Sequence, residues 1–381
     1  MSDLDDILVL NSGSSSLKFG LYRRSQDGEE VVMNGSASGI GRESGTIEVR
    51  SASGEQLASQ DHVMESQHDA FAKVADIIKK KMSVAPVAVG HRVVHGGPDL
   101  REHQPITEEV MAKLELATHF APLHIPPALK LIRQAQQTFP NALHIACFDT
   151  AFHRTLPAVA ARLPLPARYS EQGVIRYGFH GLSYESLVHR LGRDLPRRTV
   201  FAHLGNGCSL AAVLDGKSID TSMGLTPTGG VPMSTRSGDL DPGVLLYLLR
   251  TEHSRVEDLE ELLNRHSGLA GFSGGESDMQ ALLARAAAND CRAELAITAF
   301  CRAIRKCIGA YAALMGGIDL LVFTGGIGEH SEEVRRRICQ GLEFIGLQAN
   351  GQTNTRVKVM QSDEEGQIAR HCRALIEPDR R

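Results

Sequence analysis

Between Ile7 and Tyr22 the chain reads ILVLNSGSSSLKFGLY, an apolar run that halts at a block of small polar residues and resumes at once with Lys18 inside it. That pattern is strand, polar turn, strand, so it commits the start of the chain to a β-hairpin. Gly13 lets backbone approach a ligand closely, the serines (Ser14 among them) add hydroxyl donors, and Lys18 sets a fixed positive charge beside them, a combination that suits phosphate. The same residues also build ordinary serine-rich turns. Neither familiar phosphate pattern is present, since Leu17 stands where a Walker A loop has glycine and no GxGxxG follows. The chemistry therefore has to be read from the rest of the chain.

A chain of 381 residues is long enough for about two domains, each with its own core. Hydrophobic residues at 42% and charged residues at 23% are ordinary for a globular enzyme. A net charge of −4 without any basic block argues against nucleic acid as a partner. The acidic start, MSDLDD, leads straight into a strand and lacks the features of a signal peptide, and no apolar run is long enough to span a bilayer. A cytoplasmic location and no membrane partner are the expectation. Seven scattered cysteines with no CxxC read as thiols in a reducing compartment. His91 and His95 share a strand face, but no third ligand stands at zinc-like spacing.

Along the chain, strands alternate with helices. Residues 31–66 read as surface hairpins. Ser66 opens a helix whose buried stripe is Phe71, Val74, Ile77 and Ile78. A strand follows at 87–94, and Thr107 and Pro127 open two further helices. The strand 143–148 runs into Asp149. A second series begins near residue 150, with a strand at 200–204, a hairpin to Leu214, a helix opening at Asp241-Pro242 and a long helix over 290–315. The strand 318–323 then meets Thr324-Gly325-Gly326-Ile327-Gly328. This alternation predicts α/β layers, with ligands at strand ends. A faint repeat links the two series: Leu10-Asn11-Ser12-Gly13-Ser14 and Leu204-Gly205-Asn206-Gly207-Cys208 each follow a strand and lead through Ser-Leu into another. It suggests two halves of like build.

The segments NSGSSSLK, GHRVVHGG (Gly90 to Gly97), FDTAFH (Phe148 to His153), YGFHGLSYE (Tyr177 to Glu185), HLGNG (His203 to Gly207), TRSGDLDPG (Thr235 to Gly243) and TGGIGE, in this order over nearly the whole chain, resemble the acetate kinase family. The resemblance implies two domains of duplicated actin-like/ribonuclease H-like fold, each a mixed sheet flanked by helices, around a central cleft. Residues 1–150 with 364–381 would form the N-terminal domain, and 151–363 the second, which would bind nucleotide and carry dimer contacts. The implied reaction is reversible phosphoryl transfer between ATP and acetate, giving acetyl phosphate and ADP, with Mg²⁺ as cofactor, Mn²⁺ as a substitute, and a homodimer as the assembly. Propionate or butyrate kinase is the neighbouring alternative, and an actin-like or chaperone-like ATPase module the more distant one.

Phosphoryl transfer asks for positioning and positive charge more than covalent help. Arg92 lies in an apolar strand, where a guanidinium needs a carboxylate or a phosphate, and a structural ion pair would satisfy it equally. Arg236 sits in a polar loop and His180 between Phe179 and Gly181. The resemblance assigns these three to acetate binding and transition-state stabilisation, and Asp149 to the active site as an acid. Acetate is already an anion and needs no general base, so Asp149 is expected to act through magnesium or to orient Arg92. The metal would be held by Asn11 and Glu364. Nucleotide binding falls to Lys18, Ser14, His203, Leu204, Gly205, Asn206, Gly207, Asp278, Met279, Gln280, Gly325, Gly326, Ile327, Gly328 and Glu329. The acetate methyl would meet Val94, Leu123, Phe179 and Pro227. Departures from the family pattern are Ile125 in place of asparagine, Gln280 in place of arginine and His330 in place of asparagine. Asp363-Glu364-Glu365-Gly366 stands where the family reads NEEL.

Overall fold

A computed structural model describes residues 5–13, 15–26, 28–81, 84–253, 255–348 and 356–377. Ser14, expected at the phosphate site, lies outside them. The chain packs as two compact units, one of Met1–Ala151, Gly181–Ser186 and Asp363–Arg381, the other of Phe152–His180 and Leu187–Ser362. The six-residue piece Gly181–Ser186 belongs to the first unit although its sequence neighbours on both sides belong to the second.

The first unit is built on eight strands: β1 (Ile7–Ser12), β2 (Ser16–Ser25), β3 (Gly28–Ser38), β4 (Gly45–Ser51), β5 (Gln56–His62), β6 (Ala88–Val93), β7 (Gln104–Pro105) and β8 (Leu143–Phe148). Their spatial order is β5-β4-β3-β2-β1-β6-β8-β7. β1 pairs antiparallel with β2 and parallel with β6, and β6 pairs parallel with β8. The stretch expected as surface hairpins is a meander continuing this sheet, and Ile47 and Val49 within it are fully buried.

Strand alternation sorts the side chains between two faces. Leu8, Leu10, Leu17, Phe19 and Leu21 point one way and are covered by Phe71, Val74 and Ile78 of the Gln67–Lys81 helix and by Leu131 and Ala135 of the Ile125–Thr138 helix. Ile7, Val9, Ala88, Ile145 and Cys147 point the other way, against Ile368, Ala369 and Cys372 of the Glu364–Ile376 helix. That helix lies hard on β6, for a Cβ on Gly90 would stand 2.5 Å from the Ile368 side chain and 2.6 Å from the Cys372 sulfur. Helix starts follow the capping signals. The Ser66 hydroxyl accepts from the Asp69 amide at 3.2 Å, and the Thr107 hydroxyl accepts from the Val110 amide at 3.2 Å. The Asp69 carboxylate turns to the Glu65 amide rather than closing the box on Ser66. The helix expected to open at Pro127 begins two residues earlier, at Ile125.

The second unit holds β9 (Arg198–Leu204), β10 (Cys208–Leu214), β11 (Lys217–Thr221), β12 (Leu320–Thr324) and β13 (Val357–Val359), in the order β11-β10-β9-β12-β13. β9 is antiparallel to β10 and parallel to β12, which is parallel to β13. This repeats β3-β2-β1-β6-β8 strand for strand, so the short repeat in the sequence marks a duplicated topology. The turn after β1 and the turn after β9 are equivalent positions. The Cys291–Met315 helix packs on β9 and β10, and Ala296, Ile297, Phe300 and Ile304 are among its buried residues. Asp290 caps its start and Gly316, at φ 71°, ends it. The glycines after β12, singled out for nucleotide binding, form a helix, Gly325–His330, and a second one, Glu332–Cys339, opens at Ser331 as expected.

Candidate active site

In the first unit the face covered by the Glu364–Ile376 helix runs out at the helix N-terminus, and there the alternation of each strand delivers a polar side chain. Following Ile7 and Val9, β1 delivers Asn11; following Ala88 and Gly90, β6 delivers Arg92; Asp149 follows the end of β8 after Ile145 and Cys147. Arg92 grips Asp149 bidentately, Nη2 to Oδ2 at 2.6 Å and Nε to Oδ1 at 3.0 Å, and its Nη1 donates to Asn11 Oδ1 at 3.1 Å. The Asn11 amide nitrogen donates to Glu365 Oε1 at 2.7 Å and Glu364 Oε2 at 3.2 Å. One cation is thus linked through one amide to two carboxylates. Lys18 is paired with Asn11 across the hairpin and is exposed.

The charges explain the titration of this cluster. Burial alone would favour the neutral form of Arg92, but Asp149 and Glu364 keep its pKa above the ordinary guanidinium value. Burial raises Asp149 above the usual carboxylate range, Arg92 pulls it back, and Glu364 and Glu185 push it up again. Glu365 is raised by burial and then by Glu364, with Lys18 opposing. Crowded carboxylates form an oxygen-rich donor set of the kind a hard divalent cation takes. Sequence reasoning carried over Glu364 alone and missed Glu365, although the adjacent carboxylate was visible in the same motif. The turn before Lys18 is held from behind by Gln67, whose amide donates to the Gly13 carbonyl at 2.8 Å and the Ser16 carbonyl at 3.2 Å.

In the second unit His203 and Ser209 face one another across β9 and β10. His180 lies over this pair, its Nδ1 2.8 Å from the Ser209 hydroxyl and its ring stacked on His203 at 4.2 Å between centroids. It occupies the left-handed region, φ 58°, at the N-cap of the Gly181–Leu191 helix. Such a conformation costs a non-glycine residue energy, and it is common where side-chain placement matters. A Cβ on Gly207 would lie 3.2 Å from His180 Nε2 and 3.5 Å from Arg236 Nη1, so the imidazole and the guanidinium converge on this glycine. Arg236 Nη1 also donates to the Pro227 carbonyl at 3.2 Å. Gly325, at φ 77°, brings the next helix against β9, and a Cβ there would meet the Leu204 carbonyl at 2.7 Å. Glu329 Oε1 accepts from the Gly325 amide at 3.0 Å. Ser209 entered the sequence reading only as part of the repeat, and its bond to His180 was not legible there.

The remaining expected residues fall in both units. Asp278 caps the Met279–Ala287 helix through the Ala281 amide, with Met279 buried and Gln280 exposed. In the first unit Val94 is half-buried and Leu123, 45% exposed, lines a groove with Gln67 and Lys130. In the second, Phe179 and Pro227 are buried.

Duplicated α/β sheets of this order define an actin-like fold. The sequence profile of the Acetokinase family matches residues 6–371, and the chain belongs to that family. It is 41% identical over 400 residues to the acetate kinase of Methylocella silvestris, across 97% of this chain and 98% of that one. The crystal structure of Porphyromonas gingivalis acetate kinase superposes with a TM-score of 0.85 at 35% identity, covering 98% of this chain and all of that one. A propionate kinase from Francisella tularensis superposes at 0.88 with 34% identity, covering 97% and 99%. The chain is accordingly an enzyme, a kinase whose phosphoryl acceptor is a carboxyl group.

Proposed function

We propose that the chain is an acetate kinase, transferring a phosphoryl group reversibly and in line between ATP and acetate, with Mg²⁺ required. The observation that carries this reading is the Arg92–Asp149–Asn11 linkage, joined to Glu364 and Glu365. A carboxylate acceptor needs no proton removed, so a buried acid there is best used to orient a guanidinium. Asp149 holds Arg92 for acetate and the moving phosphoryl group, and His180 and Arg236 stabilise the charge that develops on the phosphoryl oxygens. Glu364 with Asn11 holds the magnesium, which neutralises phosphate charge when bound. Lys18, His203 to Gly207 and Gly325 to Glu329 bind nucleotide, with Asp278 to Gln280 beside the adenosine. Val94, Leu123, Phe179 and Pro227 receive the methyl group.

The two compact units act as the two domains, the one of Phe152–His180 and Leu187–Ser362 binding nucleotide. Supporting a homodimer, the Pro242–Thr251 helix leaves Leu246 50% and Tyr247 62% exposed, an apolar face that a second copy would cover. Seven free cysteines fit a cytoplasmic setting, and among the described residues no helix is long and apolar enough to cross a membrane. The test is incubation with ATP, Mg²⁺ and acetate, trapping acyl phosphate with hydroxylamine; acetate-independent ATP turnover would instead favour an ATPase module. The structural likeness to a propionate kinase favours a second reading, propionate or butyrate as acceptor, decided by rates across acyl chain lengths.

A further inference from the structure

Beside the cluster just described, three titratable groups from three segments of the first unit meet at one oxygen. Glu185 Oε2 lies 2.7 Å from His371 Nε2 and 3.2 Å from His103 Nε2, and the two imidazoles stand 3.9 Å apart. Their side chains are 13%, 24% and 10% exposed, so the three are largely shielded from water.

The His103 tautomer decides what the cluster is for. His103 Nδ1 accepts from the Phe148 amide at 3.1 Å, so in the neutral ring the proton sits on Nε2 and points at Glu185. A metal ion would need the lone pair that this proton occupies, and the arrangement is a hydrogen-bonded brace. Burial alone would raise Glu185, yet the bonds from His103 and His371 hold it down to about 2, so it is an anion throughout the working range. Burial lowers His371, opposed by Glu185, while His103 and Arg370 add to the lowering.

Each arm of the brace ends at the active cluster. His103 holds the amide of Phe148, the residue before Asp149. Glu185 is four residues from Gly181, whose amide donates to the Asp149 carbonyl at 2.8 Å. His371 is seven residues, two helical turns, beyond Glu364 on the Glu364–Ile376 helix, on the same face. We propose that Glu185 is a positioning residue that, through His103 and His371, locks the strand end bearing Asp149 to the helix bearing Glu364 and Glu365.

This proposal rests on the kinase reading above, and its test separates the two. In the full-length protein, Glu185→Ala, Glu185→Gln and His371→Gln are compared with wild type by amide hydrogen exchange and by the hydroxylamine assay. In Glu185→Ala, exchange rises about tenfold at Phe148–Asp149 and in the first turn after Asp363, and little elsewhere. Its kcat falls about tenfold while KM for acetate stays within about twofold. Glu185→Gln keeps an oxygen that accepts from both rings, and His371→Gln keeps a donor at the Nε2 position; both recover to within about threefold of wild type. An unchanged or evenly raised exchange pattern, or a kcat in Glu185→Ala equal to wild type, overturns the brace. If wild type makes no acyl phosphate, the kinase reading fails and the exchange pattern alone decides the brace.

Discussion

The turn after β1 and the turn after β9 occupy the same place in two sheets of one strand order, and they are furnished with opposite chemistry. Around the first, formal charge dominates: Arg92 grips Asp149 and is linked through Asn11 to Glu364 and Glu365. Around the second, imidazole rings, a hydroxyl and close-packed glycine stand beside the Arg236 guanidinium, which donates to the Pro227 carbonyl. The duplicated scaffold specifies where a polar side chain emerges, and the two units fill that position differently, one with an ion-pair network and the other with imidazole, hydroxyl and glycine. The arginines make the contrast testable, since Arg92 grips a buried carboxylate bidentately and Arg236 donates to a backbone carbonyl.

The largest effect is expected from Arg92→Ala. It leaves Asp149, 2% exposed at its side chain, buried beside Glu364 without its counter-ion. Orphaning a buried charge typically costs about 3–5 kcal/mol, partly relieved here when Asp149 takes up a proton. Both the urea midpoint and acyl phosphate formation should fall sharply. Arg236→Ala should lower kcat by about 10²–10³-fold, the usual cost of removing one transition-state donor, with the urea midpoint close to wild type. Equal losses of stability in the two variants would erase the distinction.

How much of this was legible in the sequence follows the same division. The strand-turn-strand at Ile7 to Tyr22, the Ser66 and Thr107 starts and the Asp290–Gly316 helix are local patterns, and local physics carried them through. Residues 31–66 were harder, because Gly, Ser and charge alternate there, and only pairing with β2 turns that polar surface into a sheet with Ile47 and Val49 inside. The helix at Gly325–His330 was not legible because glycines favour a turn there; Thr324 opens it and Glu329 reaches back to the Gly325 amide. Arg92 could be singled out as a buried cation in need of a partner, but which partner required the register of β6 beside β8 and Asp149 beyond it. Glu185, His103 and His371 are 268 residues apart at their extremes, and nothing in their spacing announces that they share one oxygen.

That triad gives the pH-dependent form of the comparison. The folded state holds Glu185 near 2, below the ordinary glutamate value of 4.5, so the stability it contributes is complete above pH 4.5 and drains away as pH falls toward 2. Its ceiling is about 3 kcal/mol, for a shift of about two and a half units. Thermal melts of wild type and Glu185→Gln should therefore differ most above pH 5 and draw together as pH falls toward 2. A gap that stays constant over this interval would mean that the carboxylate charge contributes nothing.

The smallest effects fall on the two turns themselves. A methyl on Gly207 would press on His180 Nε2 at 3.2 Å and on Arg236 Nη1 at 3.5 Å. His180 cannot retreat freely, because Ser209 and His203 hold its ring from the other side. Gly207→Ala should therefore lower kcat about tenfold, equivalent to ~1.4 kcal/mol, while the fold is retained. A methyl on Gly13 would stand 2.9 Å from the Ser16 hydroxyl, a nominally worse clash, but that hydroxyl is the free end of a side chain and can rotate away. Gly13→Ala should thus change kcat by less than about threefold. Steady-state rates of the two variants under one set of conditions would check the order. If Gly13→Ala proved the more damaging, the Ser16 hydroxyl would have to be a fixed ligand contact, and the first turn would be as tightly specified as the second.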